Sequence, residues 1–213
     1  METMTDLVLV RHGETEWNRL QRVQGRTDIP LNETGREQAR ATAARLTGEH
    51  FDAVASSPLS RAAETAQLIA DGLGIGPVEL VDDLVERNYG EAEGMSGRDI
   101  DARWGGRLEA QESRAEVIER VKPALLAIAR RHPGQRVLVV SHGGVIGSLV
   151  RDATGWVWPE HGEQIPNGSD HLFRVVDGPS SASGDRALEL VEFAGRPWSA
   201  DLLPSDDEVV TRD

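Results

Sequence analysis

Short apolar runs alternate with longer stretches of helix-forming residues along the chain. Leu7–Val10 and Val137–Val140 are continuously apolar, the pattern of strands buried on both faces. Phe51–Ala55 predicts a second strand of the same kind, and Pro77–Val81 a weaker one. Between them, Asn32–Leu46 carries strong helix formers and ends near Gly48. Ser57-Pro58 predicts a helix to about Leu73, with serine as the cap and proline at the first helical position. Ser113-Arg-Ala-Glu116 is a capping box, and its helix extends to about His132, with Pro123 marking a break or kink. A last helix covers about Val145–Ala153. The segment Glu86–Glu112, rich in glycine and charge, reads as loop with short helical pieces. His171–Val176 and Ala187–Phe193 read as two edge strands joined by a Gly/Ser/Pro hairpin. Such alternation predicts an α/β fold, a three-layer αβα sandwich with a mostly parallel central sheet and helices on both faces. Residues 1–198 are expected to form one domain, and 199–213 an acidic, disordered tail.

Composition narrows the function. The 213 residues hold 23 Lys+Arg against 36 Asp+Glu, a net charge of −13. That balance lacks the basic footprint of a nucleic-acid binder and the polybasic patch of a membrane-surface protein. No run of 18 apolar residues and no signal peptide is present, so a soluble, cytoplasmic protein is expected. With no cysteine, disulfides, Cys-ligated zinc and thiol nucleophiles are excluded. All basic residues except Lys122 are arginine, the side chain suited to bidentate recognition of carboxylate or phosphate.

In α/β sheets ligands gather at the carboxyl ends of the strands. Two predicted strands end there in histidine and glycine, at Arg11-His12-Gly13 and Ser141-His142-Gly143-Gly144. One histidine so placed is equally well read as a structural imidazole; two are harder to dismiss. Gly143-Gly144 leads into a helix N-terminus, where unpaired N–H groups favour an anion. Arg61 falls in a first helical turn, opposing the dipole by about 0.3–1 kcal/mol, which a nearby anion would offset. A surface arginine tolerated by solvent is the alternative reading. The overall negative charge is screened beyond about 8 Å. One arginine about 4 Å from an anion contributes about 4 kcal/mol, so a cationic pocket can form locally. His50 and His132 lie at helix ends, His161 in a Gly/Pro-rich loop, and His171 opens a strand. No HxH, HxxxH or HExxH pair supports zinc, and no GxxxxGK[ST], GxGxxG or GxSxG is present.

Leu9-Val-Arg-His-Gly-Glu-Thr-Glu-Trp-Asn18 resembles the signature of the histidine phosphatase superfamily, in its phosphoglycerate-mutase-like branch 1. Four further blocks follow in that family's order: Gln24–Gly35, Ser56–Ala66, Leu84–Gly90 with Glu93-Gly94, and Glu112-Ser113 with Val139–Gly144. The resemblance implies that His12 is a nucleophile forming a phosphohistidine. It implies that Arg11, Asn18, Arg61, His142 and the Gly143 N–H hold the phosphoryl oxygens. Glu86 would protonate the leaving oxygen and then deprotonate water, with Glu91 or Asp83 as the fallback acid. Gln24, Gly25 and Tyr89 would contact substrate; Arg26, Met95, Trp104 and the Trp156–Pro159 loop are further candidates, or loop packing in the case of the tryptophans. No metal and no cofactor is implied.

The chemistry is consistent with these roles. Attack requires a neutral His12, which neighbouring arginines favour, and a fixed acceptor on its other nitrogen. Glu-Arg-X-Tyr-Gly resembles the mutases, but X is Asn88 rather than histidine, and Met95-Ser96-Gly97 replaces Leu-Asn-Lys. Only the 26 residues 87–112 separate Glu86 from Ser113, a shorter cover than the mutases carry. The preferred reading is therefore a metal-independent phosphomonoesterase acting on a small phosphorylated metabolite. A cofactor-dependent phosphoglycerate mutase on the same site, and a catalytically silent phospho-ligand binding domain, are the alternatives. A homodimer is left open.

Overall fold

Among the described residues, peptide hydrogen bonds and apolar alternation together build a seven-stranded sheet. The computed structural model describes residues 4–105, 111–160, 162–177 and 186–199. In chain order the elements are β1 (Thr5–Arg11), α1 (Glu16–Arg19), α2 (Glu33–Arg45), β2 (Ala53–Ser56), α3 (Ser60–Leu73) and β3 (Val78–Leu80). After two short 3-10 turns come α4 (Gly97–Trp104), α5 (Arg114–Arg131), β4 (Arg136–Ser141) and α6 (Gly143–Ala153). Then follow β5 (Asp170–Asp177), β6 (Arg186–Phe193) and β7 (Arg196–Pro197). The strand order is β3-β2-β4-β1-β5-β6-β7. The first four strands of the chain run parallel, and β5, β6 and β7 add on as antiparallel neighbours.

Strand alternation assigns each apolar residue to one of two cores. Leu7 and Leu9 of β1, with Val137 and Val139 of β4, pack with Val117, Leu125 and Ile128 of α5 and Val145 and Ile146 of α6. Val8, Val10, Leu138 and Val140 point the other way, onto Ala43 of α2 and Ala62, Ala66 and Ile69 of α3. Helices therefore cover both faces of a mostly parallel sheet, as expected.

Three local expectations need correction. The helix predicted from Ser57 begins at Ser60 with Leu59 as its cap. The Ser57 hydroxyl accepts from Leu59 N–H just ahead of the helix and also meets His142, at 2.8 Å, a tertiary contact. Neither predicted edge strand is terminal: β5 lies between β1 and β6, which leaves Val175 buried, and β6 lies between β5 and β7. Pro123 does not interrupt α5, which is continuous across it. The capping box at Ser113 and Glu116 forms as read. The one-turn α1, capped by Thr15 and Asn18, has no apolar face and so left no periodic signal. The tail beyond Ser199, the 178–185 connection and His161 lie outside the described residues.

Topology now places the site. β1 and β4 pair in parallel with Arg11 opposite Ser141, so His12 and His142 follow at the same level. The chain leaves β1 toward the α2–α3 face, whereas α6 leaves β4 toward the other. The loops diverge there and open a crevice between the two strand ends.

Candidate active site

Hydrogen bonds at the crevice hold His12 in a defined tautomer. Its Nδ1 lies 2.7 Å from the Gly13 carbonyl oxygen, which can only accept, so the proton sits on Nδ1. Nε2 then carries the lone pair, and Arg61 Nε donates to it at 3.3 Å. The His142 ring stands edge-on to His12, with centroids 5.1 Å apart. Ser57 Oγ accepts from Leu59 N–H and lies 2.8 Å from His142 Nε2, while His142 Nδ1 is buried with no partner.

The cations are buried with them. Arg61, at the start of α3, is fully buried, and its two terminal nitrogens donate to the carbonyls of Thr27 (3.0 Å) and Gly25 (2.8 Å). A guanidinium has five donors, so two remain available. Gly25 adopts a φ of +57°, and a Cβ there would fall 1.9 Å from Glu93 Oε1. Its part is thus to bring a bare carbonyl to Arg61. Arg11 donates to the Ile165 carbonyl, and its buried Nε has no partner. That Nε would lie 3.3 Å from a Cβ on Gly143. Arg11 Nε, a buried donor, and His142 Nδ1 are therefore left unpaired, and an anionic ligand at Arg11 Nε would remove a cost of about 1–3 kcal/mol.

Glu86 supplies the carboxyl. It is buried, with Oε1 accepting from Arg87 N–H (2.7 Å) and Oε2 from Gly144 N–H (3.1 Å). A Cβ on Gly144 would fall 2.5 Å from Oε1, so this approach depends on the glycine. Glu91 is exposed and pairs with Arg103, and Asp83 is exposed, so neither fallback acid reaches this position. Arg120 holds the Glu86 segment from behind, donating to the carbonyls of Asp83 (2.6 Å) and Glu86 (3.2 Å) and pairing with Glu112.

The remaining sequence candidates divide. Asn18 uses its Oδ1 to accept from Thr15 N–H, leaving its amide hydrogens to offer. Gln24 is buried and accepts from Thr15 Oγ1 at 2.8 Å. The Tyr89 hydroxyl would lie 3.0 Å from a Cβ on Gly144, beside Glu86. Arg26 is exposed and reaches Glu112, and Trp158 packs against Phe193 and Trp198 rather than into the crevice. Sequence reasoning missed Asn167, whose Nδ2 donates to the His12 carbonyl at 2.8 Å, and Thr65, which accepts from Gly13 N–H. Neither had a local signal, since both act across more than 50 residues.

Burial first, then Arg61 and Arg11, push the His12 pKa well below its usual value. Burial, then Arg61 and His12, does the same to His142. His171, buried against Phe193, is lowered to about 4. Neutral imidazoles ringed by cations can attack and bind a tetrahedral anion. Their titration also couples to folding. Below about pH 6.5 the unfolded chain binds protons that the folded one refuses, so stability falls with pH by about 1.4 kcal/mol per unit per histidine. For His171 this continues down to about pH 4. Urea midpoints are expected to drop between pH 7 and pH 5; a constant or rising midpoint would contradict the assignment.

Comparison with known proteins gives the same direction. The Bacillus subtilis (strain 168) protein named uncharacterized phosphatase PhoE is 40% identical over 153 residues, covering 71% of this chain and 79% of that protein. An Arabidopsis thaliana metal-independent phosphoserine phosphatase is 39% identical over 165 residues, covering 68% and 67%. The solved structure of a mycobacterial glucosyl-3-phosphoglycerate phosphatase matches with a TM-score of 0.75 at 26% identity, covering 90% of this chain and 99% of that one. No described helix is long and apolar enough to cross a membrane. The family model of the histidine phosphatase superfamily (branch 1) matches residues 7–178, and the chain belongs to that family.

Proposed function

We propose that the protein is a metal-independent phosphomonoesterase that hydrolyses a small phosphorylated metabolite through a phosphohistidine on His12. The observation that carries this reading is the buried Nε2 lone pair of His12, with Arg61, Arg11, His142 and Glu86 gathered around it. In the first step Nε2 attacks phosphorus, the P–O ester bond breaks, and Glu86 gives its proton to the departing oxygen. Water then attacks phosphorus, Glu86 takes its proton, and the P–N bond breaks to release phosphate. Arg61 Nε moves from Nε2 to a phosphoryl oxygen as attack begins. Arg11, Asn18, His142 and the Gly143 N–H stabilise the equatorial oxygens, where charge accumulates. Gln24 sits behind Thr15 as support, and Tyr89 borders the leaving-group side.

Glu86-Arg87-Asn88-Tyr89-Gly90 keeps a mutase reading as the alternative. The two differ in what receives the phosphoryl group. With p-nitrophenyl phosphate at pH 5–8, hydrolysis is expected to persist in excess chelator. With 3-phosphoglycerate, phosphate release is expected to exceed formation of 2-phosphoglycerate. Complete chelator sensitivity would overturn the phosphatase reading, and bisphosphoglycerate-stimulated isomerisation faster than phosphate release would favour the mutase.

A further inference from the structure

A serine hydroxyl has one hydrogen to give, and where it goes decides which nitrogen of a facing neutral imidazole carries the proton. Two serines in this fold each face a buried histidine: Ser169 faces His171, and Ser57 faces His142.

At His171 the hydrogen bonds run in one direction. Ser169 Oγ donates to the Pro166 carbonyl at 2.7 Å, so its hydrogen is spent and it accepts from His171 Nε2 at 2.9 Å. The Ala194 N–H donates to Nδ1 at 3.2 Å, so Nδ1 carries the lone pair. His171 is therefore the Nε2–H tautomer.

The hydrogen bonds at Ser57 run the other way. Ser57 is fully buried, and its Oγ accepts from Leu59 N–H at 3.3 Å. Among the described residues the hydroxyl has one other partner, His142 Nε2 at 2.8 Å. Burial first, then Arg61 and His12, keeps the His142 ring neutral, so one of its nitrogens holds a single proton. With that proton on Nε2, the Ser57 hydrogen would be buried without an acceptor, a costly arrangement. With Ser57 donating, Nε2 is satisfied, and the one group still unmet is an Nδ1–H.

The sheet turns that N–H toward the reacting atoms. β4 lies between β2 and β1, Ser57 follows β2, and His12 follows β1. The two nitrogens of an imidazole point in nearly opposite directions. A ring that turns Nε2 toward Ser57 therefore turns Nδ1 away from the β2 side. His12 stands across from it, with ring centroids 5.1 Å apart.

We infer that Ser57 is a positioning residue: its hydroxyl donates to His142 Nε2 and keeps the proton on Nδ1, where it is offered to a phosphoryl oxygen held at His12. A bare Nδ1 would instead turn a lone pair on that oxygen. The N–H gains most as negative charge accumulates there in the transition state. The catalytic consequence rests on the phosphatase reading; the tautomer itself does not.

The test is long-range proton–nitrogen NMR of the ¹⁵N-labelled, full-length, ligand-free protein at pH 7, which tells a protonated ring nitrogen from a bare one. Substitution of His12, His142 and His171 by glutamine, one at a time, assigns the signals. His12 and His142 are expected to show a protonated Nδ1 and a bare Nε2, and His171 the reverse. In Ser57→Ala, His142 is expected to carry its proton on Nε2 in part or in full, while His12 keeps its own pattern through the Gly13 carbonyl. The same variant is expected to lose about tenfold to a hundredfold in kcat/KM for p-nitrophenyl phosphate. A proton on His142 Nε2 in the wild-type protein would overturn the inference. So would a Ser57→Ala protein whose His142 pattern, or whose turnover, matches wild type. Should the variant disturb His12 as well, the wild-type spectrum decides. Absence of any turnover by the wild-type chain would sink the phosphatase reading and leave the tautomer assignment standing.

Discussion

Replacing His12 with alanine is expected to lower kcat for p-nitrophenyl phosphate by ~10⁴-fold or more. The side chain is buried, and the Nε2 of the neighbouring His142 is already engaged by Ser57. Alanine also leaves Arg61 Nε and the Gly13 carbonyl without their partner, so some loss of stability accompanies the change. Thermal melts of His12→Ala and His12→Gln separate the two effects. Glutamine refills part of the volume but supplies no lone pair that can form a stable phosphoryl bond. Both variants are expected to fold and both to be inactive. Either one within tenfold of wild type would contradict the role of His12.

The second large effect concerns Glu86→Gln, and its size depends on the leaving group. An alkyl oxygen needs a proton as it departs, so turnover of glycerol phosphates is expected to fall by about 10²–10⁴-fold. p-Nitrophenolate leaves without help, and its first step is expected to survive. The second step still lacks the base that activates water, so phosphoenzyme accumulates and nitrophenolate appears as a burst. Stopped-flow absorbance reads this directly. Equal losses on both esters with no burst would show that Glu86 is not the proton donor. The substitution is close in shape, and its carbonyl oxygen can still accept from Arg87 or Gly144 N–H.

Much of this arrangement was legible before the structure, for a physical reason. Buried parallel strands are written as continuous apolar runs, and their carboxyl ends are where a sheet exposes polar side chains. Leu7–Val10 and Val137–Val140 therefore located His12 and His142 correctly, and the capping box at Ser113 gave the start of α5. What failed was local reasoning about residues whose partners lie far away. Ser57 accepts from Leu59 N–H just ahead of α3, but it also faces His142, 85 positions on. Strand β5 looked like an edge because His171–Val176 mixes polar and apolar residues. In fact β1 pairs with it on one side and β6 on the other. Gly25 also offers its carbonyl to Arg61, a duty visible only once α3 and the 24–28 loop are side by side. The family-like blocks thus point to the residues gathered at the crevice, while the supporting contacts come from packing.

The most direct measurement is to quench the wild-type protein in alkali during steady turnover of p-nitrophenyl phosphate and map the phosphoryl group by peptide mass spectrometry. The account predicts an acid-labile phosphoryl group on His12, formed and lost at rates that match kcat. Turnover with no such species, or with the group on another residue, would contradict it.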